Sequence, residues 1–183
     1  MNKLIATVLI ILISPILIFV ALFVMLSDGY PFLFTQKKYG LNNKVFKLYK
    51  FRTMKKNTPQ IPTEEMDNAK KHLITFGATL RKYSIDELPQ LMNVLKGDIN
   101  FIGPRPCMTK NEEIIKELRE KNGVHKIKPG ITGLAQVEGR DSNSYKMKVK
   151  LDYTYLKNKS LLMDLKILFK TIFVVLFPKN IKH

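Results

Sequence analysis

The stretch "LIATVLIILISPILIFVALFVML", residues 4–26, carries no charged side chain. As a helix rising 1.5 Å per residue it covers roughly 34 Å, enough to cross a hydrocarbon layer about 30 Å thick. The fold therefore starts in a membrane, and the rest of the chain is a body attached to it. A cleaved signal peptide does not fit, because the apolar run is too long and no small-x-small site follows it. Ser14-Pro15 lies in mid-run. Pro15 has no N–H for the carbonyl of Ile11 and its ring crowds that carbonyl, so a kink is expected. On these grounds alone a kinked spanning helix is the commoner outcome. A larger break would turn the chain back and leave both ends on one side. Basic residues are thin before the run (Lys3) and dense after it (Lys37, Lys38, Lys44, Lys47, Lys50, Arg52). That bias places the body in the cytoplasm.

The chain has 183 residues and a formal net charge of +16. This length suits one modest domain, and the surplus points to an anionic partner: nucleic acid, a membrane surface or a phosphorylated substrate. With Cys107 as its single cysteine it can form no intrachain disulfide and no CxxC metal site, and His72, His125 and His183 are too scattered to suggest ligands.

Beyond the membrane segment, "SDGYPFLF" reads as a turn. "KYGLNNKVFKLYKFRTM" reads as a β-hairpin turning at residues 40–43, with Phe46, Leu48 and Lys50 alternating with Lys47, Tyr49 and Phe51. A polar loop then leads to a short helix capped by Thr63, with Glu64 and Glu65 in its first turn. "NEEIIKELREKNG" is a solvated helix capped by Asn111, stopped by Gly123 and braced by Glu112–Lys116 and Glu117–Lys121 pairs. Turns are expected at Pro129-Gly130 and Gly139. "SYKMKVKLDYTYL" suits a strand by alternation or a helix by its long charged side chains. "SLLMDLKILFKTIFVVLFPKN" suits either a helix lying in the membrane interface or a core helix.

Two stretches carry candidate chemistry. In "SIDELPQL", Ser84 and Glu87 have capping-box spacing, or Asp86 is itself the N-cap with Pro89 in the first turn. Read alone, the stretch is structural. Either register nevertheless sets Asp86 and Glu87 at a helix N-terminus, where free N–H groups favour anions and ionised carboxylates. An ionised aspartate can attack phosphorus, and a neighbouring glutamate can hold Mg²⁺. The two side chains diverge by about 100°, so they would do two jobs. In "FIGPRP" an apolar strand end meets Gly103, and Arg105 stands between two prolines. A guanidinium framed in this way suits bidentate phosphate recognition, or is simply an arginine in a surface turn. Arg81, Lys128 and Arg140 are weaker phosphate-binding candidates of the same kind. For Arg81 the plainer reading is a solvated cation at a helix end.

The motifs "FKLYKFRTM", "LRKYSIDELPQLMNVLKGDINFIGPRP", "KIKPGITGLAQVEGR" and "LDYTYLKNKSLLMDLKIL" resemble those of the bacterial sugar transferases, the small monotopic polyprenyl-phosphate hexose-1-phosphate (phosphoglycosyl) transferases. The likeness covers nearly the whole chain. It implies an α+β, mostly helical protein: a re-entrant membrane helix over residues 1–28, broken at Ser14-Pro15, and a cytosolic catalytic domain over residues 29–183 with a short β-hairpin and interfacial amphipathic helices. It also implies a ping-pong transfer of sugar 1-phosphate from a UDP-sugar to polyprenyl phosphate such as undecaprenyl phosphate, initiating polysaccharide or glycoconjugate synthesis. Asp86 would attack the β-phosphate, UMP would leave, and polyprenyl phosphate would resolve the phosphosugar-aspartyl enzyme. Glu87 would bind Mg²⁺ and assist deprotonation, and Arg105 would contact phosphate. The implied setting is the cytoplasmic face of a bacterial inner membrane, among anionic lipids. No nucleic acid takes part, and homo-oligomers or contacts with downstream glycosyltransferases are compatible with it. Lys128 and Leu134 stand where the family often has Arg and Trp, and Glu138 where it often has Asn. The large members' extra N-terminal membrane helices are not found, so the minimal catalytic form is expected. The alternative is a membrane-anchored basic binding or scaffold protein without catalysis, which leaves the acidic pair as a cap.

Overall fold

The computed structural model describes residues 2–59, 66, 68–109, 112–139 and 144–177. The expected helix start at Thr63, Glu64 and Glu65, the Asn111 cap and Arg140 lie outside them.

The apolar run forms helix α1, Asn2–Asp28. It passes through Pro15 without interruption, so the expected break at Ser14-Pro15 is not a break in the helix. The reason is local. The carbonyl of Ile11, which Pro15 cannot serve, accepts a 2.8 Å hydrogen bond from Ser14 Oγ. A carbonyl that Pro15 leaves without its helical donor is thereby satisfied. Both ends of α1 lie on the body. Near the start, Ala6 is fully buried with Leu48, Val94 and Ile99, and Asn2 Nδ2 donates to Asn100 Oδ1 at 3.1 Å. Near the end, Val20 and Val24 pack with Phe51, Ile74 and Leu80. The helix terminus is gripped by Arg52, whose Nη2 donates to Asp28 O at 3.0 Å and Gly29 O at 2.5 Å. No residue from 7 to 19 is buried, and Ile11, Leu12 and Phe19 are about 70% exposed.

Strands β1 (Leu33–Tyr39) and β2 (Val45–Phe51) form the antiparallel hairpin that the alternation predicts, registered from Leu33 opposite Phe51 to Tyr39 opposite Val45. Its turn uses left-handed Asn42 and Asn43, a conformation asparagine tolerates. The "SDGYPFLF" turn is shorter than its sequence suggests, because Leu33 and Phe34 already belong to β1. Helix α2 (Gly77–Lys82) is followed by a 3-10 helix, Ile85–Gln90, which runs directly into α3 (Leu91–Lys96). Strand β3 (Asn100–Ile102) then pairs in parallel with β4 (Gly130–Thr132), where only a Pro-Gly turn is expected from the sequence. The chain crosses itself tightly here. A Cβ on Gly103 would stand 2.6 Å from Lys128 O, closer than any side chain can be accommodated.

Between these strands lies α4 (Glu113–Lys121), ended by Gly123 at φ +73°. Its N-cap position belongs to Glu112, which bonds the backbone N–H of Met108, and Lys116 pairs forward with Glu120 at 2.8 Å instead of back with Glu112. After the short α5 (Leu134–Val137), the ambiguous stretch resolves as helix α6 (Tyr145–Asn158). Its buried residues Val149, Asp152 and Tyr155 recur every three positions. Asp152 hides that stripe in the sequence, because it is buried only through its pairing with Arg119. Helix α7 (Leu161–Leu176) buries Ile167 against Leu134 and Tyr155. It leaves Leu162, Phe169 and Phe173 at least two-thirds exposed, so it is not a core helix. The result is a mostly helical α+β protein with two small sheets and one N-terminal apolar helix.

Candidate active site

The 3-10 helix Ile85–Gln90 packs across β2 and sets the acidic pair against it. Ser84 holds the N-cap position with left-handed backbone, and its side chain makes no capping bond to the helix. The capping box is therefore not formed. Its other half is occupied, because Glu87 is claimed by cations. Lys50 Nζ lies 2.7 Å from Glu87 Oε1, and Arg105 spans the carboxylate with Nη2 2.7 Å from Oε1 and Nη1 3.3 Å from Oε2. Such forked pairing fixes orientation as well as charge.

Asp86 is buried, at 7% exposure. Burial pushes its carboxyl up to about 6, with Lys50, Arg81 and Arg105 pulling it down and Glu87 pushing it up. This departs from the expectation of a helix terminus that simply keeps Asp86 ionised, because desolvation outweighs the dipole of one short helix. Glu87 goes the other way. Burial works to raise it, but the Arg105 and Lys50 charges outweigh burial and hold it well below the ordinary carboxylate range. The two neighbours are thus driven apart: Glu87 strongly ionised and clamped, Asp86 buried and more basic.

The positions of the other expected residues differ. Arg81 is near the dyad, bonding Thr53 Oγ1 at 2.9 Å while its charge acts on Asp86. Arg105 rides on the segment after β3, and this segment is bolted to β1 by the Lys38–Met108 bridge and by Tyr39 N–H donating to Cys107 O at 3.0 Å. Lys128 instead reaches the C-terminal end of α3, where its ammonium donates to Gly97 O at 2.8 Å. Ser14 and Pro15 belong to the exposed middle of α1.

Lys50 was not singled out as a site residue by sequence reasoning. A signal was there: it shares a strand face with Phe46 and Leu48, and a charge on the apolar face of a strand needs a partner. Lys38, on the same sheet face, is 9% exposed, and burial lowers its pKa to about 7, with Glu112 opposing that shift.

For a divalent cation, the donors at hand are Asp86 and Glu87, since no group of three or more His, Cys, Asp or Glu side chains gathers among the described residues. Glu87 Oε2 accepts only the longer Arg105 bond, so it retains a lone pair. One or two carboxylates fit Mg²⁺ when substrate phosphates and water complete its shell.

Fold and site together give a protein with one long, largely exposed apolar helix and a carboxylate dyad ringed by cations. The profile of the family described as "Bacterial sugar transferase" matches residues 1–178, and the chain belongs to that family. It is 42% identical over 176 residues to the "Uncharacterized sugar transferase EpsL" of Bacillus subtilis (strain 168), covering 93% of this chain and 82% of that one. It is 37% identical over 180 residues to the UDP-N-acetylgalactosamine-undecaprenyl-phosphate N-acetylgalactosaminephosphotransferase of Aeromonas hydrophila, covering 96% of this chain and 43% of that one. It is 38% identical over 175 residues to the UDP-glucose:undecaprenyl-phosphate glucose-1-phosphate transferase of Escherichia coli (strain K12), covering 92% and 38%. The chain thus spans less than half the length of these last two relatives.

Proposed function

We propose that this protein transfers a sugar 1-phosphate from a UDP-sugar to undecaprenyl phosphate, with Asp86 as the nucleophile. The observation that carries the reading is the dyad itself: a buried aspartate beside a glutamate clamped by Lys50 and Arg105, in a chain whose relatives include undecaprenyl-phosphate sugar phosphotransferases. An Asp86 carboxylate oxygen attacks the phosphorus that bears the sugar. The bond from that phosphorus to the bridging oxygen breaks, and UMP leaves with the electron pair. An oxygen of undecaprenyl phosphate then attacks the same phosphorus and Asp86 departs as carboxylate. Neither displacement requires a proton from the nucleophile when the phosphate is ionised. Desolvation makes Asp86 a better nucleophile, and Arg81, Lys50 and Arg105 offset the charge of the diphosphate. Glu87 would hold Mg²⁺, which when bound neutralises diphosphate charge, and chelation in the same assay tests that role.

The placing of α1 supports a membrane arrangement. A helix that crossed the bilayer would part Asn2 from Asn100, yet the two are bonded. That supports a helix whose two ends stay on one face of the membrane, with its exposed middle and the apolar face of α7 in lipid, and the positive charge after α1 favours the cytoplasmic face. A basic binding module would need neither the dyad nor the forked Arg105.

The decisive experiment is Asp86→Asn in purified, folded protein. We expect UMP release with added undecaprenyl phosphate to fall by about 10³-fold or more. Retained full activity would exclude Asp86 as nucleophile. For the topology, a cysteine at Asn2 should resist an impermeant external thiol reagent in intact cells, and ready labelling would mean a spanning helix.

A further inference from the structure

Glu87 and Gln90 stand three residues apart on the 3-10 helix, the interval at which its side chains eclipse, and Asn93 follows at the same interval on α3, where residues three apart still share a face. Gln90 and Asn93 are 1% and 0% exposed, and all three lie on the segment that packs against β2. One edge of β2 is taken by β1. On the other edge the Asn93 amide makes the two bonds that a neighbouring strand would make: Oδ1 accepts from Tyr49 N–H at 3.0 Å, and Nδ2 donates to Lys47 O at 2.7 Å. The second Nδ2 hydrogen goes to Asp98 Oδ2 at 3.0 Å. That bond sets the amide's orientation, because a reversed amide would place its oxygen against Lys47 O and the Asp98 carboxylate. Lys50 is the residue after Tyr49, and its ammonium meets Glu87 at 2.7 Å. Glu87 and Asn93 therefore hold β2 at two adjacent points from one continuous helical segment.

We infer that Asn93 is a positioning residue for the reaction: its amide replaces a third strand on the free edge of β2 and so delivers the Lys50 ammonium to Glu87. This rests on the dyad being the reaction centre. An asparagine that only filled a core would show no special relation to Lys50, so the test is a double-mutant cycle of Asn93→Leu with Lys50→Met, measured as transfer activity of folded protein. Lys50→Met should cost about 100-fold in the otherwise unaltered chain but under about fivefold on top of Asn93→Leu, because Lys50 is already misplaced there. Asn93→Leu should lower kcat far more than it raises KM for the UDP-sugar. Losses that simply multiply overturn the inference. If Asn93→Leu does not fold, Asp98→Ala, which removes only the orienting bond, takes its place in the cycle, with coupling of about threefold or more expected and multiplying losses again overturning it. Asp86→Asn assayed alongside separates the two readings. Full activity there sinks the reaction-centre reading, whereas an inactive Asp86→Asn with multiplying losses sinks only the role of Asn93.

Discussion

The Arg119–Asp152 pair and the Asp86–Glu87 dyad both hold acids and bases away from water, and they are built differently. Arg119 on α4 and Asp152 on α6 form a closed pair, with Nη2 and Nε 2.6 and 3.0 Å from one carboxylate oxygen and side-chain exposures of 11% and 1%. One cation answers one carboxylate. At the dyad, Lys50, Arg81 and Arg105 surround Asp86 and Glu87, and both Lys50 and Arg105 bond Glu87 directly. The first arrangement is complete and joins two helices. The second leaves a desolvated carboxylate beside a surplus of positive charge, which a diphosphate would balance.

The sharpest way to break that contrast is to open the closed pair. Arg119→Met leaves Asp152 buried without its partner and should destabilise the fold by about 3–5 kcal/mol, with the kcat of the surviving folded protein unchanged. A change in kcat comparable to that of the dyad variants would erase the distinction. Lys50→Met reverses the pattern. It should lower kcat about 100-fold in the transfer assay while the thermal midpoint in detergent stays nearly constant. The smallest effect belongs to Lys38. Its unfolded form keeps a proton up to about pH 10.5, whereas the folded form releases it near pH 7, so between those limits the unfolded state binds more protons and stability rises with pH. Lys38→Met should flatten that rise and stabilise the protein at pH 6 by about 1–2 kcal/mol, as read from thermal midpoints across pH. A steep rise that persists in the variant would assign the slope to another group.

Legibility in the sequence follows the same division. The hairpin and α1 are readable because their patterns are local: strict alternation in one, unbroken apolarity in the other. The dyad and Arg105 are readable as a constellation, though not as geometry. Nothing within residues 84–87 says that Glu87 would leave the capping box for Lys50, because Lys50 arrives from a strand 37 positions away. Lys128 differs in the opposite sense: a cation before Pro-Gly looks like an anion site, and its bond to the end of α3 cannot be seen from its neighbours in the chain. The parallel pairing of β3 and β4 is invisible for a related reason. Each strand is only three residues long, and tight glycine crossings hold them together more than any periodic pattern does.

The two-ended attachment of α1 has a mechanical consequence. A chain joined to a membrane helix at one end is a tether, free to swing its load through a range of heights and tilts. Here Asn2 and Ala6 hold one end of the helix and Arg52 with Val24 holds the other, as two bearings hold an axle. The angle between that axle and the dyad is thereby a property of the protein and not of the surrounding lipid. In the proposed membrane arrangement, Asp86 takes a set depth wherever α1 settles, which is the condition for meeting the proposed acceptor, a phosphate whose own height is fixed by a hydrocarbon chain.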